Sequence, residues 1–135
     1  MPSLAPAAWP RWLAWYDRWA RPAAWLGTAV LITLLVIPVP PTPPQTTGLQ
    51  LDKVIHVYLF GGYVLGWWWA LRRQPGVLLR GLAIGLGTAL GTEIVQGLLP
   101  WRSAEPWDLV ADATGVLLAL ALTRLPTPAR WARME

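Results

Sequence analysis

The sequence has no cysteine, a single histidine and few charged residues. Without cysteine the chain can form neither a disulfide nor a thiolate metal site. One histidine also excludes the paired-histidine motif of zinc hydrolases. Charged residues make up 13% of the 135 residues, roughly half the share of a soluble globular domain, so little charge is available to cover a water-facing surface. The composition therefore favours a membrane protein over a soluble domain.

Apolar residues make up 55% of the sequence, and they are gathered in blocks instead of following the pattern of amphipathic soluble helices. Each block has 17 or 18 residues, the short end of what crosses a hydrocarbon core about 30 Å thick. Backbone polar groups in lipid must be satisfied within the segment, which favours helices. The sequence therefore predicts an all-α membrane protein with four transmembrane helices, at about 23–39, 54–71, 82–99 and 109–125.

A tryptophan-rich segment precedes the first block. Aromatic residues recur there at three- and four-residue spacing, with arginines between them: Trp9, Trp12, Tyr16 and Trp19. Aromatic rings favour the headgroup layer, and arginine favours anionic lipid. Residues 1–22 are therefore predicted to form an amphipathic interfacial helix on the inner leaflet, the alternative being an aromatic belt that anchors the first span.

Basic residues are unevenly divided between the two sides of the predicted membrane. Nine of the eleven fall on one side, namely Arg11, Arg18, Arg21, Arg72, Arg73, Arg80, Arg124, Arg130 and Arg133. Lys53 and Arg102 are left on the other side. Because cytoplasmic segments carry the excess of lysine and arginine, both termini, including a tail at 126–135, are predicted to be cytoplasmic in a multi-pass protein of the cytoplasmic (inner) membrane. Scattered basic residues do not form a nucleic-acid-binding stripe, so no nucleic-acid partner is expected.

The third predicted helix is rich in glycine, with two registers of small residues four apart: Gly81 and Gly85, and Gly87 and Gly91. Such faces allow helix backbones to approach closely in lipid. The second and fourth helices offer partner surfaces at Gly61, Gly62, Gly66 and Gly115.

Polar residues in or beside the apolar blocks are the main functional signal, because burying a charge in a membrane is costly and usually functional. Eight of them map to the extracytoplasmic end of the predicted bundle: Asp52, Lys53, His56, Glu93, Gln96, Arg102, Asp108 and Asp112. At 1.5 Å per residue, His56, Glu93 and Asp112 lie within about one helical turn of the same depth. The sequence therefore predicts one polar site shared by three helices, the alternative being helix-end charges that snorkel to water.

These residues also carry a family resemblance. The ordered strings Asp52-Lys53-x-x-His56, Glu93-x-x-Gln96, and Arg102 followed by Asp108-x-x-x-Asp112-x-x-Gly115 resemble the signature of the VanZ-like family. Its members are small bacterial membrane proteins, and the namesake is linked to low-level resistance to the glycopeptide teicoplanin. The resemblance runs from about Leu51 to Leu122 and departs from the family pattern at Asp112, where asparagine is frequent. It implies a cell-envelope membrane protein and does not assign a molecular activity.

Three functions fit this pattern. The first is an envelope accessory protein whose outward pocket binds a membrane lipid headgroup, a lipid-linked envelope precursor or an amphiphilic drug such as a glycopeptide. Lys53 and Arg102 would then contact phosphate or carboxylate, while Gln96 and His56 would supply neutral hydrogen bonds. The second is a structural or assembly subunit of a larger membrane complex, in which the cluster only locks three helices together.

The third is a membrane-embedded enzyme that uses His56, Glu93 and Asp112. These side chains could supply acid–base chemistry or hold a metal through one nitrogen and two oxygens. The sequence contains no zinc-hydrolase motif and no serine or cysteine nucleophile motif. No catalytic residue, metal site or cofactor is therefore assigned.

Overall fold

The computed structural model describes residues 11–38 and 51–125, which form four α-helices and no strand. The helices are α1 (Arg11–Val36), α2 (Leu51–Leu71), α3 (Val77–Leu98) and α4 (Pro106–Leu122). By length and composition, three of them can cross a membrane: Trp15–Val36 within α1, then α2 and α3. The prediction of an all-α, multi-pass membrane protein is therefore confirmed. Helix α4 has 17 residues and is not among the three, so the fourth span stays a prediction.

Helix α1 differs from the predicted division into a leader and a first span. It continues without a break through Pro22, so the described part of the segment at 1–22 belongs to the same helix as the apolar block. A proline removes one backbone hydrogen bond, but membrane helices tolerate this because neighbouring groups satisfy the freed carbonyl. The predicted end at residue 39, Trp9 and the tail at 126–135 lie outside the described residues.

The other three helices each begin three to five residues before the apolar blocks do. Charged or polar first turns explain the difference for α2 and α4, because Asp52 and Asp108 suit the positive end of a helix and Pro106 supplies the backbone angle of a first helical residue. Helix α3 begins after Gly76, whose φ of 68° lies in the left-handed region that glycine readily adopts. Apolar content alone places these helix starts too late.

The closest helix pair is α2 with α4, which run in the same direction. At their crossing, a Cβ added to Gly115 would lie 2.2 Å from the carbonyl oxygen of Val57. Only glycine permits so close an approach of two backbones. A contiguous apolar core surrounds the crossing and includes Leu31, Phe60, Val64, Ala89, Val116 and Leu120.

Only one glycine register of α3 is used for packing. A Cβ at Gly85 would lie 2.7 Å from a methyl group of Val116, and one at Gly81 would lie 3.1 Å from Leu120, whereas Gly87 and Gly91 have no neighbouring atom within 4 Å of that position. The first register therefore faces α4, and the second leaves the outer surface of α3 flat.

The end of the bundle that carries the α2–α3 loop is fastened by ion pairs. Asp17 of α1 contacts both Arg72 and Arg73, which follow α2. Burial and the neighbouring charge of Arg73 lower the pKa of Arg72 from its ordinary value. Asp17 offsets this repulsion and ties α1 to α2 at that end.

We expect Gly115→Ala to lower the free energy of unfolding by about 1–3 kcal/mol, the usual cost of overpacking, although alanine favours a helix by about 1 kcal/mol over glycine. Thermal unfolding in detergent, followed by circular dichroism, measures the effect. Gly62→Ala is the matched control on α2, because no neighbouring atom lies within 4 Å of its added Cβ. Equal losses in the two variants would contradict the close crossing.

Candidate functional site

The first turns of α2 and α4 are joined by a network around the Lys53 ammonium. Its Nζ lies 2.9 Å from Asp52 Oδ2 and 2.8 Å from Glu105 Oε2, and it also donates to Asp108 Oδ1. The three carboxylates come close enough together to surround a cation, and the Lys53 ammonium is the cation they contact. Asp52 and Glu105 are about half exposed, whereas Lys53 and Asp108 are largely shielded. The network therefore ties α2 to the α3–α4 loop and to α4.

One turn deeper, His56 and Asp112 form a second link between α2 and α4. His56 Nδ1 lies 2.8 Å from Asp112 Oδ1, and the Asp112 side chain is 2% exposed. With the Nδ1 proton donated to this carboxylate, the orientation of the ring is fixed. The other ring nitrogen, Nε2, faces Asp108 Oδ2 at 3.9 Å. His56 is therefore held between two carboxylates on α4.

Glu93 of α3 completes this part of the site. It lies close enough to interact electrostatically with His56, Asp108 and Asp112, and the backbone N–H of Glu105 faces its carboxyl group. Its Oε1 atom is buried and has no hydrogen-bond partner among the described residues. An unpaired buried acceptor is costly, so this oxygen is the available acceptor of the site.

Gln96 and Arg102 do not join this cluster. Gln96 Nε2 donates to the carbonyl of Leu35 at 3.0 Å, and Arg102 donates to the carbonyl of Leu34 at 3.2 Å. Both therefore bind the end of α1. Although Gln96 lies only three residues from Glu93, residues three apart differ in direction by about 60° around a helix. That rotation turns Gln96 toward α1 while Glu93 faces α4.

These bonds satisfy the last backbone carbonyls of α1, which have no hydrogen-bond donor within the helix itself. The backbone N–H of Ile37 donates to Thr33. The next three carbonyls accept from side chains: Leu34 from Arg102, Leu35 from Gln96 and Val36 from Trp101. We refer to the donors Gln96, Trp101 and Arg102 as the α1 cap. Unpaired carbonyls are costly in lipid, so the cap has a structural role that is separate from the acidic cluster.

The eight residues predicted to form one site therefore form two groups. The acidic cluster holds Asp52, Lys53, His56, Glu93, Asp108 and Asp112, and the cap holds Gln96 and Arg102. The site predicted from the sequence did not include Glu105, yet Glu105 contacts Lys53. Its position directly before Pro106, at the start of α4, is the signal that could have placed it there.

The cluster is rich in carboxylates. Five acidic side chains lie in it, counting Glu105, and Lys53 is the only lysine or arginine that contacts them in the described part of the chain. Such an arrangement disfavours a phosphate or carboxylate ligand and suits a group that donates hydrogen bonds or carries positive charge.

We expect Asp112→Leu to lower the free energy of unfolding by about 3–5 kcal/mol, because it leaves the shielded His56 without its partner. Asp112→Asn should recover most of that loss, since an amide oxygen still accepts the Nδ1 proton. Thermal unfolding in detergent compares the two variants. Asp52→Leu is the matched control, because Asp52 is 54% exposed and an exposed pair contributes about 0–1 kcal/mol. A loss for Asp52→Leu as large as that for Asp112→Leu would contradict this assignment.

Comparison with known proteins gives one informative match. An uncharacterised protein of the fission yeast Schizosaccharomyces pombe is 34% identical to this chain over 106 residues. The match covers 72% of this chain and 62% of the relative, so the chain spans less than two thirds of the protein it resembles. No protein-family model matches the chain, and no solved structure matches it significantly.

Proposed function

We propose that the chain is a VanZ-like membrane protein with four spans, in which the acidic cluster faces outward and binds the polar head of an amphiphile. Support for the fourth span comes from packing. Helix α4 contributes Val116, Ala119 and Leu120 to the core shared with α1, α2 and α3. Its 17 residues reach about 26 Å at 1.5 Å per residue, which is enough for a short span.

The proposed orientation follows from charge. The end with the α2–α3 loop carries Arg72, Arg73 and Arg80, whereas the acidic cluster lies at the other end with Lys53 and Arg102. An excess of arginine marks the cytoplasmic side. Both termini are then cytoplasmic, and the acidic cluster opens toward the outer leaflet.

The observation that carries the binding proposal is the buried Oε1 of Glu93. It has no hydrogen-bond partner in the described part of the chain, while His56, Lys53 and Asp112 beside it are paired. A polar headgroup that donates a hydrogen bond to this oxygen would remove the cost of leaving it unpaired. A site at the level of the lipid headgroups admits such a molecule together with its apolar chain.

The chemistry of the headgroup follows from the partners already present. Lys53 is engaged by three carboxylates and Arg102 by a backbone carbonyl. Lys53 is therefore not open to a phosphate, which was the first expectation for it. Arg102 keeps a buried Nε–H without a partner among the described residues, but it lies in the α1 cap, apart from the carboxylates and from Glu93. An ammonium or hydroxyl group is the better match, because it donates to Glu93 and does not add to the negative charge.

The fission yeast relative favours a broad definition of the ligand. A similar sequence in a eukaryote does not require a bacterial envelope precursor or a glycopeptide. An amine- or hydroxyl-bearing membrane lipid satisfies the same chemistry in either setting. We therefore propose a membrane lipid headgroup as the ligand, with an envelope precursor or a glycopeptide as a special case.

A structural subunit is the second candidate. It is favoured by the number of links within the cluster, because Lys53 and His56 both join α2 to α4. A cluster that only locks helices needs no ligand. An enzyme that uses His56, Glu93 and Asp112 is a third reading of the same geometry, favoured by the carboxylate that orients the imidazole.

Single cysteines test the topology without background, because the chain has none. In intact cells we expect Ser103→Cys to react with a membrane-impermeant maleimide. Gln74→Cys and Leu125→Cys should react only after lysis. Labelling of both ends of α4 from outside would rule out the fourth span. The reverse pattern at positions 103 and 74 would invert the orientation.

Native mass spectrometry tests the ligand proposal. The tagged protein, taken from phosphatidylethanolamine-rich membranes into mild detergent, should retain one phosphatidylethanolamine molecule. Glu93→Gln should reduce that retention about tenfold, since the amide adds a donor where an acceptor is needed and one charge-assisted hydrogen bond is worth about that factor. Glu105→Gln is the control, because Glu105 is half exposed and already bound to Lys53.

Other outcomes of this experiment separate the alternatives. A stoichiometric protein partner without lipid would favour the structural subunit and contradict the binding proposal. Equal lipid retention by Glu93→Gln and the unchanged protein would also contradict it.

A further inference from the structure

A lateral cleft lies between α1 and α3 at the arginine-rich end, far from the acidic cluster. It has a volume of about 710 Å³, within the range of ligand sites. Its floor is α2, through Tyr63, Trp67 and Leu71, and its α1 wall includes Trp25. On the α3 wall, Ala83 and Gly87 have small side chains or none. Arg80 lies at the end of this wall nearest the α2–α3 loop.

We propose that this cleft binds one acyl chain of an anionic phospholipid whose phosphate contacts Arg80. The first argument is charge. Arg80 donates to the neutral side chain of Gln74, and no acidic side chain among the described residues forms an ion pair with it. Arg72 and Arg73 beside it are instead paired with Asp17. An anionic headgroup would supply the missing countercharge.

The second argument is length. From Arg80 to Thr88, the α3 wall measures about 12 Å at 1.5 Å per residue. One leaflet of a hydrocarbon core is about 15 Å thick, half of roughly 30 Å. The cleft therefore runs from the headgroup level toward the middle of the bilayer, which is the path of a single acyl chain.

The third argument is that the walls are fixed by polar links. Tyr63 Oη lies 2.9 Å from Thr88 Oγ1, which joins α2 to α3 at the deep end. Trp67 Nε1 donates to Thr28 Oγ1 at 3.1 Å, and its ring packs edge-on against Trp25. A preformed apolar cleft binds a chain without the cost of ordering its own walls.

Two variants separate the chain from the headgroup. Gly87 lines the cleft and has no neighbouring atom within 4 Å of an added Cβ, so the side chain of Gly87→Leu extends into the cleft. Gly91→Leu is its matched control, because Gly91 is equally open and does not line the cleft. Arg80→Gln removes the charge, and Arg18→Gln is the control on an exposed arginine that does not line the cleft.

The measurement is native mass spectrometry of the full chain after incubation with equal amounts of phosphatidylglycerol and phosphatidylcholine of the same chain length. We expect a preference for phosphatidylglycerol of about tenfold, the worth of one charge-assisted contact. Arg80→Gln should bring that preference close to one, whereas Arg18→Gln should keep it. Gly87→Leu should reduce retention of both lipids about tenfold, and Gly91→Leu should not.

Three results would overturn the proposal. The first is an unchanged preference in Arg80→Gln, and the second is unchanged retention in a folded Gly87→Leu, checked by circular dichroism. The third is a protein partner bound in place of lipid. Glu93→Gln should not alter this preference, so a failure here and a failure of the proposed ligand site at the opposite end are told apart.

Discussion

The backbone contact between α2 and α4 at Val57 and Gly115 fixes most of the geometry of the described chain. A side chain at Gly115 would collide with the Val57 carbonyl, so the two helices meet at a spacing that only glycine permits. The two helices run in the same direction. Residues that precede the crossing on α2 therefore face residues that precede it on α4. His56 meets Asp112, and Lys53 meets Asp108. The acidic cluster is thus a consequence of one close crossing between parallel helices.

A second constraint is the need to satisfy every polar group in lipid, and it explains why the cluster and the α1 cap are separate. The first turns of α2 and α4 present positive helix ends to Asp52 and Asp108, whereas α1 ends at the same face with a negative end. Carboxylates therefore gather over α2 and α4. Donors gather over α1, where Gln96, Trp101 and Arg102 bind three successive carbonyls. The directions of the helices therefore produce a group of carboxylates over α2 and α4 and a separate group of hydrogen-bond donors over α1.

The sequence predicted the helical class, and it placed the polar residues at one end, because apolar blocks and charge counts are local properties. It also brought His56, Glu93 and Asp112 to a common depth. It did not separate Gln96 from Glu93, since that depends on a rotation of about 60° and on where α1 ends. It did not include Glu105 in the predicted site, because apolar content placed the start of α4 three residues too late and so left Glu105 away from the first turn, where it contacts Lys53. The unbroken path of α1 through Pro22 was missed for a related reason, because the composition changes there while the backbone does not.

The acidic cluster and the α1–α3 cleft share α2, which raises the question of whether they influence each other. Coupling between two sites requires an element with two arrangements that both sites bias. Helix α2 is a poor candidate, because Val57 lies against Gly115 and Phe60 and Val64 are fully buried in the core. Packing this close is not continuously deformable. Helix α1 is held in both places as well, by the bond from Trp67 to Thr28 beside the cleft and by the cap at its last carbonyls. Among the described residues, neither helix therefore offers the second arrangement that coupling requires, and we expect the two sites to bind their ligands independently.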